Sequence, residues 1–307
     1  MDEIQRNLLK EVAELDALPV GAYNIRSNGQ STARNTTAQI DIVTKQDKQG
    51  IDIIVKPGTK NQSVHIPVII SQTGLQELVY NDFYIGEDCD VTIVAGCGIS
   101  NCGGEDSRHD GVHSFHVGKN SHVRYIERHY GEGTGKGKRL MNPTTEVELE
   151  DGASMDLETS QIGGIDDTLR ITHAKIKENA ALNIHDKILT AGDQTAVAEL
   201  SVEMNGAGGS CDLISRGVAK ENSRQEVKIS IAGNAPSSGH AECDSIIMDH
   251  GVIVATPSLI ATDVDASLIH EAAIGKIAGE QLMKLMTMCL DEKEAEEMII
   301  RGFLQLS

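Results

Sequence analysis

Short runs of alternating apolar and polar residues fill most of the chain, from about residue 39 to residue 267. Ile40 with Ile42 and Val91 with Ile93 are two examples, and similar runs recur up to residue 231. Each run has four to eight residues and is bounded by Gly, Asn or Asp, which is typical of strands joined by turns. No convincing helical pattern interrupts them, so the pattern predicts a mainly β fold.

A weak internal repeat accompanies the alternation. Four segments combine a turn-forming residue, a usually small residue, a variable residue and an apolar one, and they begin at Asp88, Asn120, Gly152 and Asn179. A solenoid coil that closes every 27 to 32 residues, or a pair of shorter coils, would give this spacing. The sequence therefore predicts a right-handed parallel β-helix.

Apolar stripes with helical spacing mark the two ends of the chain. Ile4, Leu8, Val12 and Leu15 form a 3.6-residue stripe in an otherwise charged segment. We expect this helix to cover one end of the core, because a solenoid must hide its terminal coil. A helix that binds a partner is the alternative. The segment up to residue 36 is assigned to the helix and cap, and residues 37–272 are assigned to the β-helix.

Residues 273–307 are predicted to form a helical hairpin. Asp291 with Glu294 three residues later has the pattern of an N-cap and its reciprocal partner. Two apolar faces flank this cap. They consist of Leu282, Leu285, Met286 and Cys289 before it, and of Ala295, Met298, Ile299, Gly302 and Phe303 after it.

Composition narrows the class of function. The 307 residues include 27 Lys and Arg against 46 Asp and Glu, a net charge of −19. Such an acidic chain is a poor candidate for binding nucleic acid or an anionic membrane, since both require clustered positive charge. No apolar run is long enough for a membrane helix, and no signal peptide is recognisable. We therefore expect a cytoplasmic protein whose six cysteines are reduced.

Aromatic residues make up only 3% and Trp is absent, which favours a narrow solenoid core over a sandwich.

Several short motifs follow one another near the C-terminus. They are Glu242-Cys243-Asp244-Ser245, Ile269-His270-Glu271-Ala272, Ile274-Gly275, Glu280-Gln281-Leu282 and Gly302-Phe303. This order resembles the C-terminal core of the SufB/SufD family, the scaffold proteins of iron-sulfur cluster assembly. The resemblance is strong over roughly residues 238–307 and weak before about residue 80. Ile269 stands where SufB usually has Glu, and the long helical front domain of SufB is expected to be missing or much reduced.

The resemblance implies a β-helical scaffold that carries a transient iron-sulfur cluster of the 4Fe-4S type. It further implies that the C-terminal helices dock a SufC-like ABC-type ATPase, although simple capping of the solenoid is an alternative role. The chain is expected to pair with itself or with a SufB/SufD paralogue. This interpretation assigns no catalytic turnover to the chain, and a SufD-like structural role without a cluster remains open.

Three residues of these motifs are candidate cluster ligands. Cys243 matches the cysteine on which SufB-like proteins accept sulfur and build clusters, although an isolated strand cysteine is more often a small buried apolar residue. Glu271 matches a residue implicated as a ligand, and His270 matches one near the subunit interface. Alternation sends His270 and Glu271 to opposite faces of their strand. Glu271 would therefore need a bulge or a strand end to share the interior with Cys243.

A second candidate site is independent of the resemblance. Thiol and imidazole ligands, which suit zinc or iron, lie close together in sequence at Cys97, Cys102, His109, His113 and His116. Their spacing fits no standard zinc finger. Gly96, Gly98, Gly103 and Gly104 suggest that the segment is a loop. An additional metal ion is therefore one hypothesis, and a polar loop with solvated histidines is the other.

Two enzyme classes compete with the scaffold interpretation. β-Helix enzymes that act on polysaccharides use exposed aromatic platforms and are usually secreted, and neither feature is visible here. A zinc-dependent hydrolase built on the Cys97–His116 segment is the second rival. The chain also lacks a Gly-x4-Gly-Lys-Ser/Thr phosphate loop, so we expect any ATPase to be a partner.

Overall fold

The computed structural model of the protein describes residues 2–306 and contains three helices and twenty strands. The helices are α1 (Glu3–Ala13), α2 (Gly279–Met286) and α3 (Glu292–Phe303). Strands are numbered in chain order and form two sheets. Sheet A contains β1 (Ala22–Ser27), β2 (Gln30–Asn35), β5 (Lys60–Ile70), β7 (Asp90–Ser100), β9 (His122–Glu132), β12 (Ser154–Ile162), β14 (Ala181–Thr190), β16 (Gly209–Ala219), β18 (Ser237–Ile247) and β20 (Ser267–Gly275). Sheet B contains β3 (Ile40–Thr44), β4 (Gly50–Val55), β6 (Gln76–Ile85), β8 (Ser107–Val117), β10 (Arg139–Met141), β11 (Thr144–Leu149), β13 (Asp167–Ile176), β15 (Thr195–Met204), β17 (Arg224–Gly233) and β19 (Val252–Ala261).

The chain alternates between the two sheets, so that successive coils stack as a parallel β-solenoid. Each strand of sheet A pairs in parallel with the sheet A strand of the next coil, from β1 with β5 to β18 with β20. Sheet B repeats this order from β4 to β19. Within residues 2–306, antiparallel pairing occurs only at the beginning, where β2 joins β1 and β3 joins β4. The structure confirms the predicted mainly β solenoid.

The four turn residues of the predicted repeat stack at one corner of the solenoid, together with Gly58 and Gly208 from the flanking coils. Each has a left-handed backbone conformation with φ between 54° and 75°, at Gly58, Asp88, Asn120, Gly152, Asn179 and Gly208. Gly, Asn and Asp adopt this conformation at the lowest cost. Backbone hydrogen bonds join successive turns, for example from the N–H of Asp88 to the carbonyl of Lys119 at 2.9 Å. The small residues that follow, such as Ala153 and Ala180, are buried beneath the corner.

Helix α1 lies on the side of the solenoid, on the outer face of sheet A. Its buried residues Leu8 and Val12 pack with Ile25 and Ile69, which point outward from their strands. The prediction that this helix covers one end of the core is therefore wrong. An apolar stripe indicates that a helix packs against something, but it does not indicate where. β1 already belongs to sheet A, so the solenoid begins before residue 37.

Helix α3 also lies beside the solenoid. Ile300 and Leu304 are buried with Val218, against the outer face of sheet A. Asp291 caps α3 as predicted, and its Oδ1 accepts a hydrogen bond of 2.8 Å from the N–H of Glu294. The predicted apolar face of α3 is only partly correct, because Met298 is exposed. Helix α2 has no buried residue.

Candidate functional site

Cys243 points into the lumen of the solenoid from β18. Side chains alternate along this strand, and Ala241, Cys243 and Ser245 are buried on its inner side. Cys243 is only 3% exposed, and burial, together with Asp244, Asp186 and Glu242, raises the pKa of its thiol to about 11. The thiol is therefore protonated at neutral pH, and in this state Cys243 behaves as a small apolar side chain. It becomes a ligand or a nucleophile only when it loses this proton.

His270 points to the same inner side from the adjacent strand, β20. Its in-register partner is Ala241, and the partner of Cys243 is Ala272, so Cys243 and His270 are diagonal neighbours. Strand spacing and rise put their Cα atoms about 8 Å apart. Both ring nitrogens of His270 are buried and have no hydrogen-bond partner within the described chain. An unpaired buried imidazole is costly unless a further group satisfies it.

Glu271 lies on the opposite, outer face of sheet A. It is in register with Glu242, and no bulge interrupts the pairing of β18 with β20. Its side chain is 70% exposed, and its Oε2 lies 3.9 Å from Nε2 of His240. The bulge that would bring Glu271 beside Cys243 is absent from these two strands. The structure therefore brings Cys243 together with His270 and separates both from Glu271 within one chain.

The last coil leaves the lumen open at its C-terminal end. Leu259 and Ile274 occupy inner-face positions, because they follow Ile231 and Ser245 in register. They are nevertheless 39% and 44% exposed. β19 and β20 are the last strands of their sheets, so each has one edge without a neighbour within residues 2–306. Such edges favour pairing with another chain.

The predicted metal ligands between Cys97 and His116 divide into two groups. The segment is not a continuous loop, because Cys97 lies on β7, the three histidines lie on β8, and only residues 101–106 connect the strands. Gly96 and Gly98 make room for α1, since a Cβ on Gly98 would lie 3.0 Å from Cβ of Leu8. The inward-pointing members are Cys97, His109 and His113.

The other two members lie elsewhere. Cys102 is exposed in the connecting loop. His116 is on the outer face of sheet B, where its ring stacks on Tyr84 and its Nδ1 lies 3.3 Å from Oε2 of Glu148. Neither residue can share an ion with the three inward side chains. The predicted set of five ligands therefore does not form one site.

Two further residues complete the inward group and were missed at the sequence level. Glu127 and His129 point into the lumen from β9 and are 3% and 4% exposed. His129 is the in-register neighbour of Cys97. Burial alone would raise the pKa of Glu127, but His129, His113 and Arg170 outweigh it and hold the pKa at about 2. The signal was present, since both residues continue the alternation of Val123 and Tyr125.

A column of polar side chains connects this group with Cys243. Register places one inner-face residue of each coil above the next, in the order Glu127, Thr159, Asp186, Ser215 and Cys243. At about 4.8 Å per coil, the column is about 19 Å long. The other side of the lumen is filled by apolar side chains. The interior is therefore divided lengthwise into an apolar part and a polar part.

Within residues 2–306, no three His, Cys, Asp or Glu side chains already stand in the geometry that a metal ion requires. None of the three described helices has the length and apolar character needed to cross a bilayer.

Comparison with known proteins decides the family. The model of the SUF system FeS cluster assembly, SufBD core domain, matches residues 77–303. The chain belongs to the SufBD family. The match includes Cys243, His270 and Glu271, and it also includes the inward group around Glu127. Helix α1 and the first strands lie outside it.

Two members of the SufBD family are similar over most of the chain. An iron-sulfur cluster assembly SufBD family protein of Methanocaldococcus jannaschii is 30% identical over 258 residues, which cover 82% of this chain and 79% of the relative. One of Methanothermobacter thermautotrophicus is 28% identical over 84% of this chain and 62% of the relative. The iron-sulfur cluster assembly protein SufB of Bacillus subtilis is 31% identical over 100 residues, which are 31% of this chain and 22% of SufB.

Proposed function

We propose that the protein is a cytoplasmic scaffold subunit of a SUF-type assembly complex, which holds a nascent iron-sulfur cluster and is not itself an enzyme. One observation carries the proposal. Cys243 and His270 share the inner face of the last two coils, beside an open end of the lumen, and His270 has no partner. A thiolate and an imidazole are ligands that suit iron.

The cluster is the cargo of this site rather than a permanent part of the protein. Loading requires Cys243 to lose its proton, because the thiolate is the ligand. Iron bound nearby would stabilise the thiolate and so lower the high pKa of the buried thiol. Glu271 would contribute from the outer face only if the edge strand moved or if a second chain brought its own ligand.

Anaerobic reconstitution with iron and sulfide tests the site. We expect visible cluster absorption in the native protein, and its loss in Cys243→Ser and in His270→Ala. Cys211→Ser is the matched control, because Cys211 is another buried lumen thiol on a neighbouring strand but belongs to a different column. Full absorption in Cys243→Ser would refute the assignment. A protein that forms no cluster at all would instead support a SufD-like structural role.

We propose that the open end pairs with a second copy or with a SufB/SufD paralogue. The two unpaired edges and the exposed inner-face residues Leu259 and Ile274 support this arrangement, since exposed apolar edges favour association. Pairing would cover the mouth of the lumen and shield a cluster at Cys243 from water.

We propose that α2 docks a SufC-like ABC-type ATPase. The helix buries none of its residues, and Met283, Met286 and the adjacent Met288 are 63%, 41% and 68% exposed. Flexible Met side chains are frequent on protein-binding surfaces. Capture by the ATPase should fail with Met283→Lys combined with Met286→Lys. Met298→Lys on α3 is the control, and equal loss in the control would place the contact elsewhere.

A further inference from the structure

The inward group around Glu127 encloses a small cavity in the middle of the polar lumen. Its volume is about 10 Å³, which is room for about one water molecule or one ion. Cys97, His113, Glu127 and His129 line it, and Gly111 forms part of its wall. This cavity is several coils away from Cys243, so it is separate from the proposed cluster site.

The polar atoms around the cavity are only partly satisfied. Oε2 of Glu127 and Nδ1 of His129 are buried and have no hydrogen-bond partner in the described chain. Nδ1 of His113 is 2.6 Å from the hydroxyl of Tyr125, and its Nε2 is 3.3 Å from Nδ2 of Asn81. Buried polar atoms are rarely left unpaired, so Oε2 of Glu127 and Nδ1 of His129 indicate a missing group.

The charges in the lumen do not balance. Among residues 2–306, the carboxylates buried there are Glu77, Glu127 and Asp186, and the buried guanidiniums are Arg26 and Arg170. Arg26 forms an ion pair with Glu77, with Nε 3.0 Å from Oε1, and Arg170 forms one with Asp186. Within residues 2–306, the groups at ion-pair distance from Glu127 are the imidazoles of His113 and His129. A buried carboxylate needs a positive charge nearby, and either an imidazolium or a cation would supply it.

The separations between the candidate ligand atoms suit a small cation. Oε1 of Glu127 lies 3.3 Å from Nε2 of His129 and 3.7 Å from Nδ1 of His113. A tetrahedral ion with bonds of about 2.1 Å holds its ligand atoms about 3.4 Å apart. Cys97 is the in-register neighbour of His129 and lines the same cavity.

We propose that this cavity binds one divalent transition-metal cation through Cys97, His113, Glu127 and His129. Rotation of the Glu127 carboxylate and of the His129 ring would let the unpaired Oε2 or Nδ1 take part in the coordination. His113 would exchange its contact with Tyr125 for the ion. Binding displaces the thiol proton of Cys97 into solvent, so that the thiolate and the carboxylate together neutralise the ion. Thiolate and imidazole ligands select zinc, iron or cobalt over magnesium and calcium.

Cobalt(II) titration of the full chain tests the proposal. Cys243→Ser serves as the parent, so that the proposed cluster site cannot contribute its thiolate. We expect about one cobalt per chain, with sulfur-to-cobalt charge-transfer absorption that excess magnesium does not remove. Adding Cys97→Ser should abolish that absorption and weaken binding about tenfold or more. Cys102→Ser and His116→Ala are matched controls, because they lie in the same sequence segment but outside the cavity.

A second variant guards against misfolding of the ligand variants. Gly111→Ala removes no ligand, but its added Cβ would lie 3.1 Å from Nε2 of His113 and 3.7 Å from Nε2 of His109. It should weaken cobalt binding while the circular dichroism of the folded chain is retained. The proposal is overturned if the parent binds no cobalt, which would leave an imidazolium as the partner of Glu127. It is also overturned if Cys97→Ser and Gly111→Ala bind as the parent does, or if the two controls lose binding.

Discussion

The two ends of the solenoid differ in how they are closed. At the N-terminal end, antiparallel strands β2 and β3 are added to the first coil, and the ion pair of Arg26 with Glu77 fills the lumen behind them. At the C-terminal end, β19 and β20 expose inner-face side chains and unpaired edges. A closed end buries its apolar side chains within the chain and so stabilises the fold. An open end leaves apolar side chains and strand edges exposed, and a partner that covers them gains binding free energy. We therefore expect the first and middle coils to contribute most to the stability of the fold, and the last coils to bind partners.

The greatest loss of stability is predicted for a substitution in the filled middle of the lumen. Arg170→Met should reduce the free energy of unfolding by about 3–5 kcal/mol, because Asp186 would remain buried without its guanidinium. Denaturant unfolding measures the change. Lys228→Met is the control, since it breaks an exposed ion pair with Glu199 and should leave the free energy of unfolding almost unchanged. Equal losses in the two variants would contradict the division between a stable interior and a tolerant surface.

Buried and exposed cysteines should differ in their rates of alkylation. At pH 8, a thiol with a pKa of about 11 has a thiolate fraction about 100-fold lower than one at the ordinary value of 9.0. Alkylation of the native protein should therefore modify exposed Cys102 and Cys289 first and leave Cys243 intact. Raising the pH towards 11 should accelerate modification of Cys243, because the thiol then loses its proton. Peptide mass spectrometry measures each rate, and early labelling of Cys243 at pH 8 would show that the end of the lumen opens readily.

Charge at the open end should weaken self-association. Leu259→Glu or Ile274→Glu would place a carboxylate where the proposed dimer buries apolar surface, and we expect the dissociation constant to rise about tenfold or more. Sedimentation velocity over a concentration series measures it. Ile54→Glu is the matched control, because Ile54 is 41% exposed on a strand near the other end. A dimer that tolerates both end variants but not the control would reverse the assignment of the two ends.

Removal of a helix cap should destabilise only the helix that it caps. Asp291→Ala removes the cap of α3 and should destabilise this helix by about 1 kcal/mol. Amide exchange within α3 should therefore become about fivefold faster, while exchange in α1 stays unchanged. Asp2 caps α1 in the same way, so Asp2→Ala is expected to give the reverse pattern. Faster exchange throughout the solenoid in either variant would mean that the helices are not independent of it.

The fold was predictable because its rules are local. A left-handed turn favours Gly, Asn or Asp, and a strand with one buried face favours alternation, so Asn120 and Asn179 could be recognised from the sequence. The position of α1 could not, because it depends on Ile25 and Ile69, which point outward from distant strands. Burial of Ile300 in place of Met298 likewise follows from the shape of the surface beneath α3.

The candidate site was only partly predictable. Alternation correctly separates His270 from Glu271, but sequence order alone does not reveal whether a bulge follows, and none does. The metal hypothesis concentrated on neighbours in sequence. Cys102 and His116 were included for that reason, whereas His129 was missed, although register sets it directly beside Cys97. In a solenoid, residues one coil apart are closer in space than many residues of the same loop.

The stacked corner turns fix the length that each coil adds to the solenoid. Each coil from one left-handed residue to the next adds one increment of about 4.8 Å along the axis and leaves the coils on either side intact. A relative with one coil more or fewer between β9 and β18 would keep both the cavity beside Glu127 and the open end of the lumen beside Cys243. Only the distance between them would change. Insertion or deletion of whole coils, in evolution or by design, would thus change the distance between the two sites in fixed steps.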